Sequence, residues 1–272
     1  MDRTLRSVVI TAVAVLAVIV GMPATASAAA PTRVGYDVSY PQCGTTLPSA
    51  RAFAIVGVNG GLSTKSNPCL SSQLSWASQS NGSVSAQPKA QLYLNTANPG
   101  QVINQVSTWP TSGTTPYGEC DGTNTMACSW EYGWQRASNS ILSFFQPAAR
   151  AAGLDDAPSS YVWWLDVETT NTWQTGSSDA LARNRATLEG MTASIIARGG
   201  RVGLYSTNRQ WGQIVGSVPS TSNLASRPSW LAGSSSLSDA RSDCRNPALT
   251  PGSRVTLTQY IVNGFDRNNA CT

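Results

Sequence analysis

The stretch YVWWLDVETTNTW, residues 161–173, is apolar from Tyr161 to Leu165, then sets Asp166 and Glu168 on either side of Val167 before a polar turn. A strand with one wet face alternates apolar and polar residues from its start. A strand covered on both faces reads as a continuous hydrophobic run, and this one is continuous until its last residues. The run therefore predicts a buried, parallel-type strand that ends in two acids.

Similar runs recur along the chain, each closed by a polar turn. They are RVGYDVSY (33–40), FAIVGVNG (53–60), AQLYLNT (90–96), RVGLYST (201–207), SWLAG (229–233) and TLTQYI (256–261). Helical patterns separate several of them: Leu70–Gln79, Trp130–Ala152, and Ser178–Arg198 with Gly199-Gly200 as a stop signal. Alternating strands and helices argue for a parallel α/β sheet. Seven or eight such strands predict one closed, irregular (β/α) TIM-like barrel, with little room for helices in its C-terminal third.

Residues 1–28 are set apart. Arg3 and Arg6 precede an apolar run from Val8 to Val20, then Gly21, Pro23 and ATASAAA, the pattern of a secretory signal peptide cut after Ala28. The run is shorter than the roughly 20 residues a membrane helix needs. The barrel domain is thus expected over 29–272, free of the membrane, extracellular or associated with a cell wall, and monomeric. The net charge of +4 is too mild to suggest a nucleic-acid partner.

Six cysteines in an exported chain read as disulfides that staple loops, with 15 possible pairings. The sequential set is expected: Cys43–Cys69, Cys120–Cys128 and Cys244–Cys271. None has the C-x-x-C spacing of a zinc or redox site, so neither metal nor cofactor is expected.

Histidine is absent from all 272 residues. That excludes Ser-His-Asp and Cys-His catalysis and the H-E-x-x-H zinc site, and leaves carboxylates as the leading candidates for chemistry. Asp37 lies near the end of the first strand, Asp166 and Glu168 at the end of the 161–168 strand, and Asp266 after the last one. Carboxyl ends of barrel strands converge on one mouth, where active sites are built. Acids crowded there raise one another's pKa, the condition for a carboxylic acid that donates a proton near neutral pH. Cleavage of a glycosidic bond needs such an acid beside a second carboxylate. Aromatic residues near strand ends, among them Tyr36, Tyr205, Trp230 and Tyr260, suit the stacking of sugars.

Taken together, GYDVS (35–39), WLDVE (164–168), LYST (204–207), SWLAG (229–233) and TQY followed by FDRN (258–268) resemble, in order and spacing, glycoside hydrolase family 25, the Chalaropsis-type lysozymes. The resemblance implies an irregular barrel that, as an N-acetylmuramidase, cuts the β-1,4 bond between N-acetylmuramic acid and N-acetylglucosamine in peptidoglycan. It implies Glu168 as proton donor, Asp166 as its partner carboxylate, Asp37 and Asp266 as cleft acids, and Tyr205 and Trp230 as cleft walls. Tyr36, Gln259 and Tyr260 complete the expected substrate contacts, with Tyr93 and Asn95 on the third strand where the family carries Y-H-F. The family's second-strand acid is missing from VNGG (58–61). A glycan-binding protein without catalysis, built on the same barrel, is the alternative; a protein acting through its 107–129 loop is a third.

Overall fold

The computed structural model describes residues 32–271; the expected leader lies outside them. Eight strands close into a barrel in sequence order: β1 (Gly35–Val38), β2 (Phe53–Gly57), β3 (Ala90–Asn95), β4 (Val162–Asp166), β5 (Arg201–Ser206), β6 (Ser229–Ser234), β7 (Val255–Val262) and β8 (Phe265–Ala270). β1 to β7 pair in parallel, whereas β8 runs antiparallel to both β7 and β1. The reversal comes from Asn263 and Gly264, whose φ angles of 54° and 76° are both left-handed, as a two-residue hairpin loop requires.

Residues alternate along β4 between two cores. Trp164 points into the barrel with Phe53, Ile55, Trp230 and Leu257. Trp163 and Leu165 point outward into the layer shared with the helices, beside Leu188, Met191 and Ile195. Both faces are apolar, which is why the sequence reads as one uninterrupted run. The interior is tight because three inward glycines each lie beneath an aromatic ring of a neighbouring strand. A Cβ on Gly35, Gly57 or Gly203 would lie 2.2 Å from Phe53, 2.5 Å from Tyr93 or 2.3 Å from Trp164 respectively.

The connections carry α1 (Leu70–Ser78), α2 (Met126–Asn139), α3 (Gln146–Ala151), α4 (Ser178–Ile196), α5 (Asn208–Ile214) and α6 (Leu237–Asp243). A π-turn at Ser140–Phe145 joins α2 to α3, just before Pro147, which has no N–H for the helical ladder. The C-terminal third therefore holds two helices that were not expected. Each is only seven residues long, with Thr207 or Ser236 accepting from the backbone N–H three residues on. β1 and β2 are joined only by a 3₁₀ turn at Tyr40–Gln42. The three disulfides pair Cys43–Cys69, Cys120–Cys128 and Cys244–Cys271, the sequential set. Among the described residues no helix is long and apolar enough to cross a membrane.

Candidate active site

Asp37 stands one residue from the end of β1, and its Cα partner across the antiparallel pair is Asp266. Asp266 is thus on the last strand rather than after it, and reaches the mouth because β8 begins there. Asp166 ends β4, and Glu168 lies two residues beyond the strand with buried Val167 between them. The backbone there is fixed in place. Val167 N–H donates to the Tyr205 carbonyl at 2.9 Å, Ser206 Oγ donates to the Val167 carbonyl at 2.7 Å, and Trp173 Nε1 donates to the Glu168 carbonyl at 2.9 Å. The extended path carries both acids to the same side, about 6.6 Å apart along it.

All four carboxyl groups line one cleft of about 250 Å³. Tyr93, Tyr205, Trp230 and Ile261 form its walls, with Gln259 at its side, and no cation lines it. Tyr205 and Trp230 pack with ring centroids 4.4 Å apart. The Tyr93 ring occupies the place where a side chain at Gly57, the last residue of β2, would stand.

A hydrogen-bonded chain holds Asp37. Tyr205 Oη donates to Gln259 Oε1 at 2.8 Å, which leaves Gln259 Nε2 to donate to both Asp37 oxygens at 3.1 and 3.2 Å. Asn268 Nδ2 donates to Asp37 Oδ2 at 2.7 Å. These donors favour the carboxylate, but burial and the charges of Asp266 and Glu168 outweigh them and push Asp37 up to about 7. Asp166 is held well above its ordinary range, by burial first and then by Glu168 and Asp37. Its Oδ1 is buried and meets no donor, a setting that disfavours charge. Glu168 and Asp266, both half-buried, are raised too: Glu168 by burial and the Asp266 charge, Asp266 by burial. Four close carboxyl groups with no counter-cation hold protons that isolated ones would lose.

Three of the expected substrate contacts do not reach this cleft. Tyr36 and Tyr260 alternate with inward Asp37 and Gln259 and so face away from the mouth. Tyr36 packs edge-on to Phe265 with ring centroids 6.4 Å apart and lies under the Arg267 guanidinium at 5.6 Å; Tyr260 is paired with Arg267 in the β7–β8 register. Asn95 turns to the loop after β2 and donates to the Gly61 carbonyl at 2.6 Å. Conversely, Asn268 and Ile261 belong to the site and were not singled out in the sequence. The Asn263-Gly264 dipeptide carried the signal: read as a hairpin, it makes Asp266 and Asn268 alternate inward on a new strand. Among the described residues no group of three or more His, Cys, Asp or Glu is arranged to hold a metal ion.

No family model matches this chain, and no curated protein does. Among solved structures it is similar to a muramidase from Trichobolus zukalii, with TM-score 0.48 and 17% identity over 89% of this chain and 94% of that one. A likeness so distant carries no argument about function.

Proposed function

We propose that the protein is a glycoside hydrolase of peptidoglycan-type glycan, with Glu168 as the proton donor to the leaving oxygen. The observation that carries this reading is the meeting of four carboxyl groups from β1, β4 and β8 in one aromatic-walled cleft without a cation. Glu168 is the more accessible member of the D-x-E pair, and its raised pKa keeps a proton available toward neutral pH. As the glycosidic bond breaks, positive charge grows on the anomeric carbon. Placed among Asp37, Asp166 and Asp266, that charge favours their ionised forms and is stabilised by them. Water then completes hydrolysis. Trp230 and Tyr205 offer faces against which a sugar ring can pack. The choice of peptidoglycan rests on the motif resemblance.

A second reading, binding without cleavage, is favoured by one feature. The cleft, at about 250 Å³, is smaller than the roughly 300–1,000 Å³ usual for ligand pockets, with Tyr93 filling the β2 side. The test is to incubate purified peptidoglycan with the protein, reduce the digest with borohydride and identify the new sugar alcohol. N-acetylmuramitol supports the proposal. N-acetylglucosaminitol would overturn the assignment of the bond, and no sugar alcohol despite retention on the glycan would favour the second reading.

A further inference from the structure

The end of the barrel opposite the acidic cleft has the reverse charge. Arg201 opens β5, Arg254 immediately precedes β7 and Arg227 lies two residues before β6. The amino ends of three successive parallel strands therefore carry guanidinium groups to one rim, with neighbouring strands about 4.8 Å apart. These arginines line a groove of about 1280 Å³. A second groove of about 530 Å³ adjoins it and is lined by Arg33, Arg241 and Arg245. Cys244 and Cys271 line both, so the disulfide between them stands on the boundary and ties α6 to the end of β8.

Six arginines thus face two adjoining grooves in whose linings, among the described residues, there is no Asp or Glu. Among the described residues the only ion pair is Arg150–Asp156, elsewhere on the surface. Five of the six are exposed; half-buried Arg227 spends only its Nε, donating to the Asn223 carbonyl at 2.8 Å, and Arg245 one Nη, donating to Ser242 Oγ at 3.3 Å. Unpaired guanidinium forks along a groove without acids are arranged to receive a chain of anions, and their planar geometry suits phosphate oxygens. Nucleic-acid grooves also present aromatic platforms on which bases stack. The one aromatic ring in these linings is Trp164, buried in the barrel with its Nε1 donating to Gln91.

We infer that this base is a second binding site, for a linear phosphate polymer without bases, separate from the carboxylate cleft at the other end of the barrel. Occupancy there would hold the protein on a polyanionic matrix while the acidic mouth stays free. It does not depend on the cleavage reading.

The test is fluorescence polarisation of labelled short-chain inorganic polyphosphate against the purified protein over a series of salt concentrations. Wild type is compared with the triple variant Arg201→Gln, Arg227→Gln, Arg254→Gln, and with a control triple, Lys65→Gln, Arg150→Gln, Arg209→Gln, which removes equal charge outside both grooves. Each phosphate contact contributes about 0.7–0.9 to the slope of log affinity against log salt. The groove variant should lose about 2 from that slope and at least tenfold in affinity at low salt, while the control stays near wild type. Thermal melts check folding; if loss of Arg227 prevents it, the Arg201→Gln, Arg254→Gln double variant is measured instead, with about two contacts at stake. Equal losses in both triples would reduce the effect to net charge and overturn the site, as would unchanged binding in the groove variant. Tighter binding of a single-stranded oligonucleotide of matched charge would overturn the base-free assignment.

Discussion

Replacing Asn268 with alanine should steepen the pH dependence of stability, by an amount set by the hydrogen bonds at Asp37. Asn268 Nδ2 donates to Asp37 Oδ2 at 2.7 Å. A hydrogen bond to a charged group contributes about 1.5–3 kcal/mol, and here it favours the ionised carboxylate. Because one pKa unit corresponds to about 1.4 kcal/mol, its loss should raise Asp37 from about 7 by about one unit or more. In the unfolded chain the same carboxyl titrates near 3.8. An acid whose folded pKa is raised contributes stability that is full below the unfolded value and disappears as pH climbs to the folded one.

From about pH 5 to about pH 8, Asp37 in the wild type costs about 2.6 kcal/mol, most of it before pH 7. With the folded value near 8 the loss over the same range grows to about 3.7 kcal/mol. The variant therefore loses about 1 kcal/mol more than wild type over this range, about 2–4 °C of melting temperature for a chain of this size. Any cavity left by the truncation costs the same at both pH values and cancels. So does the removal of Asn268 Oδ1, a buried acceptor without a donor. Denaturant unfolding of both proteins at pH 5 and pH 8 measures the difference. Curves that shift in parallel, or a variant less sensitive to pH than wild type, would refute the reasoning.

Other outcomes follow from the same geometry. Gly57→Ala would place a Cβ 2.5 Å from the Tyr93 ring and 2.6 Å from Ser39 Cβ; overpacking of this kind costs about 1–3 kcal/mol, read as a lower denaturation midpoint at unchanged m-value. Gly190→Ala would set a Cβ 2.0 Å from the Trp130 carbonyl oxygen. Backbone cannot yield as a side chain can, so loss of soluble folded protein is expected in an expression and circular-dichroism test. Opening Cys120–Cys128, which closes a loop with a sequence separation of 8, should cost about 2.5 kcal/mol in the loop-entropy account, measured by unfolding of the double serine variant. Asp166→Asn replaces a buried carboxyl that meets no donor at Oδ1 and is held well above its ordinary range. It should raise the melting temperature at neutral pH while weakening the decline of stability with pH.

The barrel was legible because its strands are buried on both faces: an unbroken run such as Val162–Leu165 cannot alternate when Trp164 fills the interior and Trp163 the helix layer. The eighth strand was not legible as a hydrophobic pattern. FDRNNA is polar because Asp266 lines the mouth, Asn268 donates to Asp37 from the interior and Arg267 turns outward over Tyr36. Asp37, Asp166 and Glu168 were legible as neighbours because they stand at the ends of strands the sequence marks directly; Asp266, expected after the last strand, reaches the same cleft from β8. Tyr36 and Tyr260 were misjudged because nearness to a strand end does not decide which way a side chain faces; one residue of offset reverses it. The two short C-terminal helices lack a full apolar period, and only their Thr207 and Ser236 caps announce them. The Tyr93 ring over Gly57 is a contact between strands, and no local pattern encodes it.

In the proposed reaction Glu168 delivers a proton inside a carboxylate-lined cleft. The most direct measurement is release of reducing ends from purified peptidoglycan, wild type against Glu168→Gln, from about pH 4 to about pH 8. General acid catalysis typically contributes about 10²–10⁴ in rate. Wild type should therefore be active, with activity declining as pH rises and the raised carboxyl groups lose their protons, and the variant should be at least about 100-fold slower with a melting temperature no lower than that of wild type. A variant as active as wild type, or no release by either protein while both bind the glycan, would contradict the account.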